Sequence, residues 1–183
     1  RRSPRGPAAS GRRSAILRMS QNDSAASLRL AHLALNQLAP ADLLWRSFAQ
    51  LEIAIATHAS GSSLAAAEDA YSQAIHLCEQ ARDQITAWIA ACARVQVVTE
   101  RGELGRAIAL NSQLLDAIQR GAPSQVRGWA HINQAALMYQ VNDLEAAWRE
   151  ANRTRELEGQ AGGLPDVVMR LYALLTKLER ING

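Results

Sequence analysis

From Ser24 onward, apolar side chains recur at intervals of three and four, the spacing that lines one face of an α-helix. Leu28, Ala31, Leu35 and Leu38 predict a first helix over about 24–39, with Asp23 or Ser24 as its cap and Pro40 as its stop. Leu44, Phe48, Leu51 and Ile55 predict a second over about 41–58. Ser60-Gly61-Ser62-Ser63 is a turn, and Ser63 caps a third helix over about 64–81 that carries Leu64, Ala67, Ala70, Tyr71, Ala74 and Leu77. The same pattern predicts helices over about 84–101, 104–119, 125–141 and 144–158. Gly121-Ala122-Pro123-Ser124 and the stretch from Gly159 to Pro165 are breaks. A last helix, about 166–180, carries Val167, Val168, Leu171, Leu174, Leu175 and Leu178.

The helices are copies. Leu64, Leu104 and Leu144 recur every forty residues, and three residues after each comes an alanine (Ala67, Ala107, Ala147) that lets a second helix pack closely on a first. Gly102 and Asn142 hold equivalent turn positions, and both residue types tolerate the left-handed conformation that ends a helix. A fixed period of this length predicts an all-α fold, a right-handed superhelical solenoid of helical hairpins with about eight helices. In this register Ser24 opens the second helix of a hairpin and the last helix is the first of another. The expected reading is a repeat domain over 23–183, truncated at both ends and internal to something longer.

Composition supports helices over sheets: 48% of residues are apolar and only 4% aromatic. Charge is uneven. Arg1, Arg2, Arg5, Arg12, Arg13 and Arg18 precede any acid, and with them set aside 14 basic residues face 17 acidic ones, a balance of about −3 (14 − 17). The repeats therefore lack the basic footprint of a nucleic-acid surface despite a pI of 9.3. Residues 1–22, with Pro4, Gly6, Pro7 and Gly11 among the arginines, are expected to be a disordered tail, or an artefact of the reading frame if Met19 is the true start. No apolar run is long enough for a membrane span. Cys78 and Cys92 form no metal-ligand spacing and are expected to be small buried hydrophobes in a reducing cytoplasm.

The hairpin anchors, together with the segments from Ala65 to Cys78 and from Asp143 to Glu158, resemble the tetratricopeptide-like repeat region of MalT-type regulators. These are the large ATP-binding transcriptional regulators of the LuxR class. The stretch from Leu28 to Pro40 resembles the helix before the repeats in that family. The resemblance implies a non-catalytic sensor module that receives a small-molecule inducer or a regulatory protein. It also implies a flanking nucleotide-binding domain and a helix-turn-helix in the full-length protein. No GxxxxGK[ST] loop occurs in this chain, so no ATP site or other cofactor is assigned to it. The alternative is a free-standing scaffold that holds a partner peptide or helix in its concave groove.

First helices line the concave face of such a stack. The register places Gln96, Ala136 and Thr176 at one level of that face, Thr99, Tyr139 and Glu179 at the next, and Glu100, Gln140 and Arg180 at a third. These mostly polar residues are the candidate binding surface; the bland reading is a solvated helix face. Trp45, Trp88 and Trp129 are expected to pack between hairpins, with Trp148 on a different face. His131, Asn133 and Gln134 interrupt an apolar helix, either as a hydrogen-bonding site or as buried helix-to-helix links. No residue set suggests a nucleophile, an acid–base pair or a metal site, so no catalytic residue is expected.

Overall fold

The computed structural model describes residues 24–119, 121–161 and 164–182. The arginine-rich tail and the Asp23 cap lie outside them. Among the described residues there are eight helices and no strand. They are α1 (Ser24–Gln37), α2 (Leu43–Ser60), α3 (Leu64–Gln80), α4 (Gln84–Glu100), α5 (Leu104–Ile118), α6 (Ser124–Gln140), α7 (Leu144–Ala161) and α8 (Pro165–Asn182). Each expected helix is present, with ends displaced by no more than three residues.

The turns explain the regularity. After α3, α4 and α6 the chain makes the same three-residue reversal, with Arg82 (φ 56°), Gly102 (φ 78°) and Asn142 (φ 63°) in the left-handed region. In each, the amide of the next residue reaches back to a carbonyl five positions earlier. Asp83 N–H donates to Cys78 O (2.9 Å), Glu103 to Val98 O (3.3 Å) and Asp143 to Met138 O (2.9 Å). The left-handed residue donates to the carbonyl three back, at 3.1, 2.9 and 3.1 Å for Arg82, Gly102 and Asn142. This paired closure is a Schellman motif, which satisfies carbonyls that a helix end otherwise leaves open.

The residue that completes one turn also opens the next helix. The backbone oxygens of Ser63, Asp83, Glu103, Pro123 and Asp143, spaced twenty apart, each accept from the amide four residues on. Asp83 Oδ1 accepts from Thr86 N–H (3.2 Å), Asp143 Oδ1 from Ala146 N–H (3.0 Å), and Ser63 Oγ from Ala66 N–H (3.1 Å). The forty-residue repeat is thus two helix-plus-turn steps of twenty. The steps at α2 and α8 are each displaced by one residue: Arg46 donates to Asp42 O, and Val168 to Leu164 O.

The chain divides into two compact units, Arg1–Val97 and Val98–Gly183. In the first, α2 packs between α1 and α3. Its Ala54 and Ala56, on different sides of the helix, are both fully buried. Arg46 donates to Leu35 O (3.3 Å) and Leu38 O (3.2 Å), covering carbonyls where α1 stops. In the second unit α6 packs between α5 and α7, and α8 closes on α6 and α7. Ile132, Ala147, Ala151, Val167, Leu171 and Leu178 form the heart of its core. Ala67, Ala107 and Ala147, the small residues of the repeat, are all fully buried. Cys78 and Cys92 are buried as well, and desolvation holds the Cys78 thiol above its usual pKa.

Two of the expected aromatic placements are corrected. Trp148 packs against the same core as Trp129, because α7 is the hairpin partner of α6 and both turn one side toward α8. Trp45 remains 44% exposed, edge-on to Phe48 at 5.9 Å.

The turn analysis makes a paired prediction. Gly102→Ala should cost about 1 kcal/mol for conformation alone, since nothing lies within 4 Å of the added Cβ. Arg82→Gly should raise stability by about 0.5–1 kcal/mol, because relief of a left-handed Arg exceeds the entropy cost of glycine. Urea unfolding of both variants checks the pair; shifts of the same sign would show that φ at these turns is not what decides stability.

Candidate functional site

The polar side chains of α6 tie it to three neighbours. Asn111 of α5, fully buried, donates through Nδ2 to Ala130 O (3.1 Å) and Gln134 Oε1 (2.9 Å). Arg170 of α8 donates to Asn133 Oδ1 at 2.8 Å. His131 Nδ1 donates to Glu150 Oε2 of α7 at 2.7 Å, with both side chains mostly shielded. The cluster His131-Asn133-Gln134 is therefore a set of helix-to-helix links, the second of the two readings its sequence allowed.

The unit Val98–Gly183 carries a groove between the first helices α6 and α8, a space of about 280 Å³. Ile132, Ala136 and Leu174 form its apolar floor, and Tyr139, Gln140 and Lys177 its polar rim. Lys177 Nζ stands 6.0 Å from the centre of the Tyr139 ring, at the outer reach of a cation–π contact. Of the sequence candidates, Tyr139 and Gln140 are brought together here with Ala136. Thr176, Glu179 and Arg180 are exposed on α8 and do not line the groove, and Thr176 Oγ1 donates to Tyr172 O at 2.8 Å. Gln96 and Thr99 are half-buried on α4, Glu100 is exposed, and all three have interactions of their own.

The reason for the displacement on α8 is the one-residue step at its start. α6 opens on the carbonyl of Pro123 and α8 on that of Leu164, forty-one residues later. One residue turns a helix face by about 100°, so Ala173 and Lys177 occupy the places matched to Ile132 and Ala136. Counting from Pro165 rather than in fixed forties finds Lys177 in the sequence.

Two carboxylates of α7 are shifted in opposite directions. The hydrogen bond from His131 holds Glu150 below the ordinary carboxylate range, outweighing desolvation. Glu158 is pushed above it by burial. Its two oxygens are shut from solvent with no hydrogen-bond partner, packed over the bare Cα of Gly128. Among the described residues no group of His, Cys, Asp and Glu could hold a metal, and no helix is long and apolar enough to cross a membrane.

The two shifts predict opposite pH slopes. The stability that Glu150 contributes is complete above its unfolded-state pKa and is lost as pH falls through its lower folded value. The penalty from Glu158 is absent below its unfolded pKa and complete once pH has risen through its higher folded value. Urea midpoints from mildly acid to neutral pH should show Glu158→Gln gaining on the parent as pH rises, and Glu150→Gln losing to it over the same direction.

The chain matches the family model of the MalT-like TPR region over residues 13–183. Among curated proteins no relative matches it. The crystal structure of BtubC (BKLC) from P. vanneervenii is similar over 92% of this chain and 76% of its own, with a TM-score of 0.68 and 16% identity. A likeness at that identity concerns the fold, an all-α solenoid of stacked hairpins. With five successive helices started at twenty-residue steps and a family match across nearly its whole length, this chain belongs to the MalT-like TPR region family.

Proposed function

We propose that this chain is the sensing segment of a MalT-like transcriptional regulator of the LuxR class, acting in the cytoplasm and without catalysis. Its task is to receive a small-molecule inducer or a regulatory protein on the face made by the first helices. The family match over residues 13–183 carries this reading. The groove between α6 and α8 supports it, because it combines an apolar floor with a few polar groups at the rim, the usual make-up of a recognition site. Tyr139 offers a ring face, Gln140 an amide, and Lys177 a cation. Gln96, Thr99 and Glu100 extend the same register onto α4, and Thr176, Glu179 and Arg180 flank the groove on α8.

The mechanism is a shift of population. α6 and α8 are first helices of successive hairpins, so a ligand held by Tyr139 and Lys177 touches both. Binding then favours one spacing of the two helices over others, and attached domains feel that preference as a coupling free energy. Nucleotide binding and DNA binding belong to flanking domains in this reading, not to the repeats.

Two experiments test it. Reading the gene outward should find a nucleotide-binding domain upstream and a helix-turn-helix downstream; a gene coding only these repeats would leave a scaffold that holds a partner peptide. In the full-length regulator, the double change Tyr139→Ala, Lys177→Ala should weaken the inducer response of a reporter gene about tenfold, within the usual span of allosteric coupling. An unchanged dose–response curve would remove the groove from the mechanism.

A further inference from the structure

A second concavity lies in the unit Val98–Gly183, on another side of α6. It is a cleft of about 700 Å³ between α5, α6 and α7, within the size range of small-molecule sites. Its wall is charged rather than apolar. Arg127 and His131 come from α6, Glu150, Arg153 and Glu156 from α7, and Asp116 from α5.

The repeat shows that the fold does not require this chemistry. Forty residues before Arg127 and Gly128, the equivalent helix α4 carries Ala87 and Trp88. The burial pattern agrees between the two helices at 86 and 126, 90 and 130, 92 and 132, 93 and 133, 95 and 135, and 97 and 137, all buried. At the cleft, a buried alanine is replaced by a half-buried arginine. The exchange introduces a guanidinium. Arg127 Nε is shut from solvent without a hydrogen-bond partner, and Arg127 has no ion-pair partner among the described residues. A shielded, unpaired guanidinium donor is costly unless an anion meets it.

Helix register sets the charges in order along the cleft. Thr154 Oγ1 donates to Gly128 O at 3.4 Å, which brings Arg127 and Arg153 to one level. His131 and Glu150 pair one turn away, at 2.7 Å. Two guanidinium-bearing side chains therefore share the cleft with a carboxylate whose Oε2 is held by His131. Glu150 Oε1 has Arg149 at 3.8 Å, with Arg153 also acting on the carboxylate, and Asp116 is exposed with no ion pair among the described residues. A wall that carries both guanidinium groups and carboxylates matches a ligand carrying both charges.

We propose that this cleft binds a small zwitterion, a free amino acid or short peptide, with its carboxylate on Arg127 and Arg153 and its ammonium between Glu150 and Asp116. A bare anion is disfavoured by the three acids Asp116, Glu150 and Glu156, and a neutral sugar leaves Arg127 unmatched. The inference does not rest on the reading of the α6–α8 groove, because it uses a different side of α6.

Isothermal titration of the full chain with the free L-amino acids and with trialanine tests it, with acetate and glucose as comparators. At least one zwitterion should bind, and Arg127→Gln should weaken it about tenfold or more, the scale of a lost charged hydrogen bond. Arg153→Gln, at an exposed position, should weaken it as well. Binding by amino acids or by trialanine decides between the two sizes of ligand. No heat with any zwitterion, equal binding of glucose or acetate, or binding indifferent to both arginine changes would overturn the proposal.

Discussion

The backward hydrogen bond that ends α3, α4 and α6 has two effects at once. It closes open carbonyls at a helix end, and it delivers Asp83, Glu103 or Asp143 as the first carbonyl of the helix that follows. A helix that starts every twenty residues presents the same face to its neighbour each time. The alanines at 67, 87, 107 and 147, four residues after each start, are all buried for that reason. Small side chains at these places let the backbones approach, and the aliphatic core is assembled around them. A one-residue change in the step rotates a whole face, as α8 demonstrates.

Within this frame, α6 is the helix with most partners in its unit. Its buried Asn133 engages α8, His131 engages α7 and the Ala130 carbonyl engages α5. A buried hydrogen bond contributes modestly to net stability, but an unmet partner is costly, so such links specify which helix lies where. The carboxylates of α7 show both sides of that rule. Glu150 has a histidine donor and is held ionised, whereas Glu158 lies over a glycine with no donor and resists ionisation. Glycine at 128 is what lets the carboxyl lie there, since any Cβ would meet it.

Departures from the repeat carry the functional interest. Arg127 replaces Ala87 and lines a polar cleft, and Glu158 packs over Gly128, the counterpart of Trp88. On another side, Tyr139 and Lys177 stand at the rim of the groove between the first helices α6 and α8. Positions that follow the repeat are packing positions, and those that break it are free to meet something else.

The periodicity of Leu64, Leu104 and Leu144 was enough to determine the fold class, the number of helices and nearly all their ends, because helix face, cap and turn are local properties. Gly102 and Asn142 were legible as turns from their residue types. Arg82 was not, since nothing in an arginine favours a positive φ and only the closure of the turn imposes it. The groove was legible in part: Tyr139 and Gln140 follow from the forty-residue register, while Lys177 takes the place expected of Thr176 because the last step is one residue longer. The sequence likewise marked His131, Asn133 and Gln134 as polar intruders without saying what they touch. Their partners lie 19 to 37 residues away on three helices, and only the packing of those helices brings each donor to its acceptor.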